Sequence, residues 1–146
     1  MITELANLLD RDLFRLEKEI GLFSTEALLW TTREGITNSA GNLCLHIMGN
    51  LKTYIGHNLG GYAYRRDREA EFSSKDLPKE ALLEGLRETR AIIHDTFQKM
   101  TDEDLTRQYP ENVLGYEMTT GYFLIHLTAH LSYHLGQVNY LRSMLM

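Results

Sequence analysis

Residues 121–142 read GYFLIHLTAHLSYHLGQVNYLR, and three histidines recur in this stretch at intervals of four residues: His126, His130 and His134. Four-residue spacing places successive side chains on one face of an α-helix, one turn apart. Two imidazoles spaced in this way can bind one divalent metal ion. Because a helix rises about 1.5 Å per residue, His126 and His134 lie roughly 12 Å apart and cannot share one ion. The candidate pairs are therefore His126/His130 and His130/His134, and a stable site needs at least one further ligand from another part of the chain.

The composition of the chain is that of a folded protein, with 43% hydrophobic and 24% charged residues, which argues against disorder. Its 146 residues predict one domain, residues 1–146, that is long enough to bury a sizeable core. The net charge of -5 argues against nucleic-acid or anionic-lipid partners. A single cysteine excludes an intrachain disulfide and fits a reducing compartment. Since the sequence has neither a signal peptide nor an apolar run long enough to span a bilayer, we expect a cytoplasmic protein without a membrane partner.

Hydrophobic periodicity predicts four long helices, at residues 2–20, 38–60, 78–100 and from 119 nearly to the C-terminus. A short helical turn is expected at residues 24–30, and an irregular loop or short hairpin before the last helix. The connections between the long helices differ in length, and the longest crosses between the second and third helices. This pattern predicts an all-α four-helix bundle, in which cofactor sites are built from side chains on facing helices.

The second predicted helix carries a polar stripe at three- and four-residue steps, formed by Ser39, Asn42, His46 and Asn50. The stripe lacks the lysines and glutamates that normally cover a solvated helix face, so we expect it to face an internal cavity. Two glycines within this helix each cost about 1 kcal/mol relative to alanine. Close helix approach, or room for a ligand, would explain their presence.

Burying three unpaired imidazoles would be unfavourable, so either metal coordination or a polar network is expected around the last-helix histidines. His46 is the favoured additional ligand, because it lies in the middle of another long helix and belongs to the polar stripe. His57 is the competitor, although it lies near the end of that helix. Cys44 precedes His46 by two residues, a turn of about 200°, so its thiol should point away and belong to the core.

The crossover, residues 61–78, reads GYAYRRDREAEFSSKDLP and mixes three arginines with acidic residues, namely Arg65, Arg66, Arg68, Asp67, Glu69 and Glu71. Such dense mixed charge is typical of surface ion pairs that contribute little stability individually. The alternative is an arginine that points into the cavity and holds an anionic substrate.

A histidine in the second helix, followed far downstream by HLSYHLGQVNYLR at residues 130–142, resembles the DinB/YfiT-like superfamily of small bacterial four-helix-bundle proteins. The NSAGNL…H…GNL run and the long crossover extend the resemblance over nearly the whole chain. It implies a divalent metal, commonly nickel or zinc, bound by His46, His130 and His134, with His126 left to line the site. Many members have a second histidine directly before the last one, where this chain has Tyr133.

Three imidazoles would leave coordination positions open, which is typical of a catalytic metal. The resemblance implies an S-transferase or isomerase that uses a low-molecular-weight thiol such as bacillithiol or mycothiol, with an electrophilic small molecule as substrate. Candidates for substrate positioning are Asn50, Arg66, Tyr133 and Gln137. The alternatives are a metal-dependent hydrolase, for which the sequence offers no identifiable acidic base, and a non-catalytic metal-binding or stress-associated module. Apolar residues on more than one face of several helices predict a homodimer.

Overall fold

The chain folds into six α-helices without a β-strand, and the computed structural model describes all of residues 1–146. The helices are α1 (Ile2–Leu22), α2 (Glu26–Leu29), α3 (Ala40–Leu51), α4 (Arg68–Ser73), α5 (Lys79–Gln98) and α6 (Thr120–Leu145). A π-helical segment, Lys52–His57, extends α3, and a 3-10 turn, Asp102–Thr106, precedes α6. The long helices α1, α3, α5 and α6 form the bundle, and the segment containing α4 crosses from α3 to α5, so the predicted all-α four-helix bundle is confirmed. None of the helices combines the length and the apolar character needed to cross a membrane.

The core of the bundle forms along the apolar face of α1, which packs against both α5 and α6. Leu9, Leu13, Leu16 and Ile20 recur at three- and four-residue steps and are fully buried. That spacing places them on one side of the helix, the side that packs against α5 and α6. Burying one such side chain contributes roughly 1.5–3 kcal/mol, so this face accounts for much of what holds α1 against α5 and α6.

The polar stripe of α3 is buried throughout, but only part of it faces a cavity. Ser39 caps α3 by accepting a hydrogen bond from the amide of Asn42 at 3.2 Å. The Asn42 side chain donates to two backbone carbonyls of the crossover, at 3.0 and 2.8 Å. The prediction that the whole stripe faces a cavity is therefore wrong for its first half, which fastens the crossover to α3. His46 and Asn50 form the half that lines a cavity.

The crossover packs closely on α3 at Gly49. A side chain at this position would collide with the carboxylate of Glu71, which is 6% exposed. The short helix α4 carries that carboxylate, and Asp67 caps its start by accepting a hydrogen bond from the amide of Ala70 at 3.0 Å. The glycine is thus explained by close approach of the crossover, since any Cβ would push Glu71 away.

The π-helical segment after α3 leaves one carbonyl without a backbone donor. The amide of Asn58 donates to the carbonyl of Thr53, five residues earlier, whereas the following amide donates to the carbonyl of Ile55, four residues earlier. The carbonyl of Tyr54 is passed over by both amides. The hydroxyl of Tyr109, from the loop before α6, donates to it instead. The widened turn is therefore stabilised by a side chain from a distant part of the chain.

Candidate metal centre

Three histidines from two helices converge at one point between α3 and α6. The Nε2 atom of His130 lies 3.2 Å from Nε2 of His46 and 3.1 Å from Nε2 of His134. The ring centroids of His46 and His134 are 5.1 Å apart, and the candidate ligand atoms of all three residues lie within 4.8 Å of one another. The four-residue spacing on α6 presents two of the rings from successive turns, and the third comes from the middle of α3.

Hydrogen bonding alone does not satisfy this arrangement. Nε2 of His130 has either one proton or one lone pair, so it can form a hydrogen bond with only one of its two neighbours. A metal ion accepts a lone pair from every nitrogen. With metal–nitrogen bonds of about 2.0–2.1 Å, tetrahedral ligand atoms lie roughly 3.3 Å apart, close to the separations around His130. The donor set and its spacing fit a divalent metal ion, which the three histidines could bind.

The outer nitrogens of two of these rings are held by hydrogen-bond acceptors. Nδ1 of His46 lies 3.1 Å from a carboxylate oxygen of Glu71, and Nδ1 of His134 lies 2.7 Å from Oε1 of Gln137. Each acceptor requires the proton to sit on Nδ1, which leaves the Nε2 lone pair free. Nη2 of Arg66 also lies 3.3 Å from Nδ1 of His46, but it donates to Glu71 at the shorter distance of 2.9 Å, so the carboxylate decides the tautomer of His46. The Nε2 lone pairs of His46 and His134 then both face the centre of the histidine cluster. Metal-binding histidines are commonly oriented in this way by polar groups that contact their other ring nitrogen.

Glu71 is held ionised by its neighbours. Nε and Nη2 of Arg66 donate to its two oxygens at 2.8 and 2.9 Å. Burial alone would raise the pKa of Glu71, but the hydrogen bonds from His46 and Arg66 outweigh it, and the pKa falls below its ordinary value. The expectation that the crossover charges form only surface ion pairs is wrong for this pair, which is largely buried. Arg66 is therefore engaged with Glu71.

Burial keeps the imidazoles of His130 and His134 neutral. It lowers the pKa of His130 to about 3, with a further contribution from the neighbouring His134 and His46. Burial also lowers the pKa of His134, against the opposing effect of the hydrogen bond with Gln137. Because only a neutral imidazole can coordinate a metal, this environment leaves the nitrogens available near neutral pH.

Comparison with known families places this geometry in context. The sequence pattern that defines the DinB superfamily matches residues 8–138. The chain belongs to the DinB superfamily. Its fold is similar to the crystal structure of a DinB-like protein from Bacillus cereus ATCC 10987, with a TM-score of 0.70 and 19% sequence identity over 91% of this chain and 85% of that chain. At this identity the likeness shows the fold alone. No curated protein matches the chain.

Two cavities adjoin the histidine cluster of this DinB-superfamily chain. The larger, about 490 Å³, is lined by apolar and polar side chains alike, and Tyr133, His134 and Gln137 are among them. The smaller, about 160 Å³, is lined by both His46 and His130. Its other polar lining residues are Asn50, Arg66, Arg68 and His126. The cluster therefore borders one larger space with a mixed apolar and polar lining and one polar space without a carboxylate.

The remaining candidates occupy different places around the cluster. Asn50 lies one turn after His46 and faces the smaller cavity. Gln137 contacts the cluster through His134, whereas Tyr133 is 65% exposed with its ring 5.4 Å from that of His134. His126 stacks on the ring of His130 at 6.3 Å and lines the smaller cavity, outside the group of three.

The two competing ligands from α3 and its extension lie outside the cluster. Nδ1 of His57 lies 2.6 Å from the carbonyl of Tyr62, and the residue is exposed. The thiol of Cys44 is fully buried, and burial raises its pKa well above the ordinary value. Sequence reasoning missed Glu71, because nothing distinguishes it from the other acidic residues of the crossover. The one signal in the sequence was Gly49, because a glycine inside a helix indicates that another part of the chain packs closely there. The glycine does not indicate which residue that is.

Proposed function

We propose that this DinB-superfamily chain is a metal-dependent enzyme that transfers a low-molecular-weight thiol to an electrophilic small molecule. His46, His130 and His134 would hold a divalent ion, with nickel or zinc as the leading candidates by family resemblance. Such an ion, when bound, keeps a substrate thiol deprotonated as the nucleophilic thiolate. In the reaction the sulfur forms a bond to the electrophilic carbon, the leaving group departs with its bonding electron pair, and the thiol proton passes to solvent.

In this proposal, other residues of the chain orient the histidine rings toward the metal position. Glu71 and Gln137 fix the tautomers of His46 and His134, so that both rings direct a lone pair inward. This pre-organisation removes the need to rotate the rings when an ion or substrate arrives. The apolar core around α6 anchors the backbone that carries two of the three rings.

The observation that supports transfer best is the pair of cavities that border one histidine cluster. A transfer reaction needs room for two substrates, a thiol and an electrophile. The polar cavity of about 160 Å³ suits a small charged molecule, and the cavity of about 490 Å³, which offers both apolar and polar side chains, suits the electrophile. Hydrolysis needs a general base near a water molecule. The smaller cavity is lined by no carboxylate, and Glu71 contacts His46 on the outer side of its ring.

Replacing one central histidine tests the proposal. His130→Ala removes the nitrogen that lies within 3.2 Å of the other two, so both bound metal and thiol transfer should be lost. His94→Ala is the matched control, because His94 is exposed and contacts Gln98 outside the cluster. Metal content is measured by elemental analysis of the purified protein. Full metal content in the His130→Ala variant would reject the ligand assignment.

A fluorogenic electrophile separates transfer from hydrolysis. Metal-loaded protein is incubated with a monochlorobimane-type reagent and a panel of small thiols. Transfer predicts turnover that requires a thiol and saturates with its concentration. Turnover that is independent of any thiol would favour the hydrolase alternative.

We also propose that the chain forms a homodimer through the exposed face of α6. No charged residue occurs from 118 to 141, yet the helix exposes large apolar or aromatic side chains: Tyr122 and Ile125, which lie away from the larger cavity, and Tyr133, Tyr140 and Met144, which also line its mouth. An uncharged exposed stripe of this kind is typical of an interaction surface. Ile125→Glu should shift the protein to monomer in sedimentation equilibrium, whereas Leu22→Glu, at an exposed apolar position on α1, should not. A monomeric wild-type protein would contradict this proposal.

A further inference from the structure

We propose that the smaller cavity is a subsite for a small amino or hydroxy carboxylate, held by Arg68 and Asn50 beside the histidine cluster. This inference deepens the proposed function, on which it rests only in assigning the thiol of the ligand to the side facing the histidines. The subsite itself is argued from three features of the cavity: an unsatisfied buried amide, an unpaired arginine and the absence of acidic lining.

The first feature is the side chain of Asn50. It is only 7% exposed, and its Oδ1 atom is buried without a hydrogen-bond partner. An unsatisfied buried polar atom costs roughly 1–3 kcal/mol, so it requires an explanation. Asn50 follows His46 by one helical turn, which places both side chains on the same face of α3 and in the same cavity. Oδ1 itself is closed off from the cavity, so an N–H or O–H group of a ligand reaches it once the Asn50 amide turns toward the cavity.

The second feature is the difference between the two arginines of the cavity. Both Arg66 and Arg68 line it, but Arg66 is engaged with Glu71 through two hydrogen bonds. Arg68 is exposed and forms no hydrogen bond or ion pair within the chain. An unengaged guanidinium presents a fork of donors that matches a carboxylate. The lining of the cavity therefore contains both an unsatisfied amide side chain and an unengaged cationic donor.

The third feature is the charge of the lining. The chain as a whole carries a net charge of -5, yet none of the residues that line this cavity is acidic. A cationic cavity in an acidic protein attracts anions locally. Its volume of about 160 Å³ corresponds to roughly five water molecules at about 30 Å³ each, which limits the ligand to a small molecule or one end of a larger one.

A matched set of thiols tests the two contacts separately. L-cysteine carries a thiol, an amine and a carboxylate. Its methyl ester lacks the carboxylate charge, and 3-mercaptopropionate lacks the amine. Binding to nickel-loaded protein is followed through the thiolate-to-metal charge-transfer band. We expect Arg68→Gln to weaken binding of cysteine about tenfold without changing that of the ester, and Asn50→Leu to weaken cysteine about tenfold without changing that of 3-mercaptopropionate.

The control variant is Arg65→Gln, because Arg65 lies in the same crossover but lines a different cavity. It should bind all three thiols as the wild type does. Equal weakening of cysteine and its ester by Arg68→Gln would overturn the carboxylate contact. Equal weakening of cysteine and 3-mercaptopropionate by Asn50→Leu would overturn the amine contact. Unchanged cysteine binding in both variants would overturn the subsite as a whole.

A second measurement keeps the subsite testable if the protein does not hold nickel. L-serine retains the amine and the carboxylate but has no thiol, and it is titrated into metal-free protein by nuclear magnetic resonance. Saturable binding that is lost in Arg68→Gln and retained in Arg65→Gln would support the subsite even where metal binding fails. The absence of saturable serine binding to wild type, together with cysteine binding that does not depend on Arg68, would reject it.

Discussion

At the scale of single residues, His46 is defined by its two nitrogens, which face different neighbours. Nδ1 meets the carboxylate of Glu71, and Nε2 meets Nε2 of His130 at 3.2 Å. The carboxylate is itself held by Arg66, so a chain of three polar side chains runs from the crossover to the centre of the cluster. Such a chain fixes the tautomer and raises the basicity of the ligand.

Replacing Glu71 should weaken metal binding without removing a ligand. Glu71→Gln loses the charge that holds the Nδ1 proton of His46, and loss of such a partner typically costs 10- to 100-fold in metal affinity. Affinity is measured by competition with a chromophoric chelator, and folding is checked by circular dichroism. Glu69→Gln is the control, since Glu69 lies on the same short helix and is exposed. An affinity within about twofold of wild type would show that Glu71 does not act on the metal through His46.

The sequence carried enough information to group the three histidines but not to find their partners. Helical spacing links His130 to His134, and the polar stripe together with the family resemblance favours His46. The sequence pattern therefore predicts which three histidines form the cluster. Whether it binds metal stays a prediction. The contact between His46 and Glu71 joins residues 25 positions apart across a crossover without periodicity, which no local pattern encodes.

At the scale of helices and connections, the crossover is the element that completes the surroundings of the site. Asn42 fastens it to α3 by two hydrogen bonds, and Gly49 allows its short helix to approach. Periodicity predicted the four long helices because their apolar faces repeat every three to four residues. It missed α4, since six residues are too few to show a period. The position of the crossover could not be predicted from periodicity, because it is determined by tertiary contacts with α3.

Gly49→Ala tests this packing. The added methyl group would meet the carboxylate of Glu71, so the crossover must shift, at a cost of about 1–3 kcal/mol in unfolding free energy. Metal affinity should fall in parallel, because Glu71 moves away from His46. Gly21→Ala is the control: nothing lies within 4 Å of the added atom, and alanine should stabilise α1 by up to about 1 kcal/mol. Urea unfolding measures both, and unchanged stability of the Gly49→Ala variant would contradict the close approach.

Contact between α1 and α6 should depend on pH through Glu19. Its carboxylate accepts hydrogen bonds from Asn139 at 2.8 Å and from Arg142 at 2.6 Å. Burial raises the pKa of Glu19, but the hydrogen bonds from Arg142 and Asn139 outweigh it and the pKa lies below its ordinary value of 4.5. The unfolded chain therefore takes up this proton at a higher pH than the folded chain does. The stabilisation is complete above about pH 4.5 and is lost as pH falls further.

The Glu19→Gln variant measures how much the charge of the Glu19 carboxylate contributes to the free energy of unfolding. Its unfolding free energy should be about 1 kcal/mol below that of wild type near neutral pH, and the two should converge as the solution becomes acidic. Urea unfolding with a chelator present throughout removes any effect of bound metal. A difference that stays constant down to about pH 3 would show that the carboxylate charge is not responsible.

At the scale of the whole molecule, the histidine cluster joins helices from the two halves of the chain. His46 and His130 are 84 positions apart in sequence and meet between α3 and α6. An ion bound there would link the two helices only in the folded state. Any ligand that binds the folded state alone stabilises it by mass action.

Removing metal should therefore lower the melting temperature. With free metal at about 100 times its Kd, binding contributes about 2.7 kcal/mol, which corresponds to roughly 5–10 °C for a chain of this size. Differential scanning calorimetry with and without chelator measures the shift, and His130→Ala should show none. Sub-stoichiometric metal in freshly purified protein, with a melting temperature that chelation does not change, would favour a non-catalytic module.

The widened turn after α3 also bears on how the chain tolerates changes in length. A π-type turn accommodates one more residue than an ordinary helical turn. Deleting one residue from Lys52–His57 would restore regular winding there, whereas a deletion earlier in α3 would rotate His46 by about 100° away from α6. The π-helical segment Lys52–His57 therefore accommodates one extra residue without changing the direction in which His46 points. Relatives one residue shorter at this point would need no hydroxyl in the place of Tyr109.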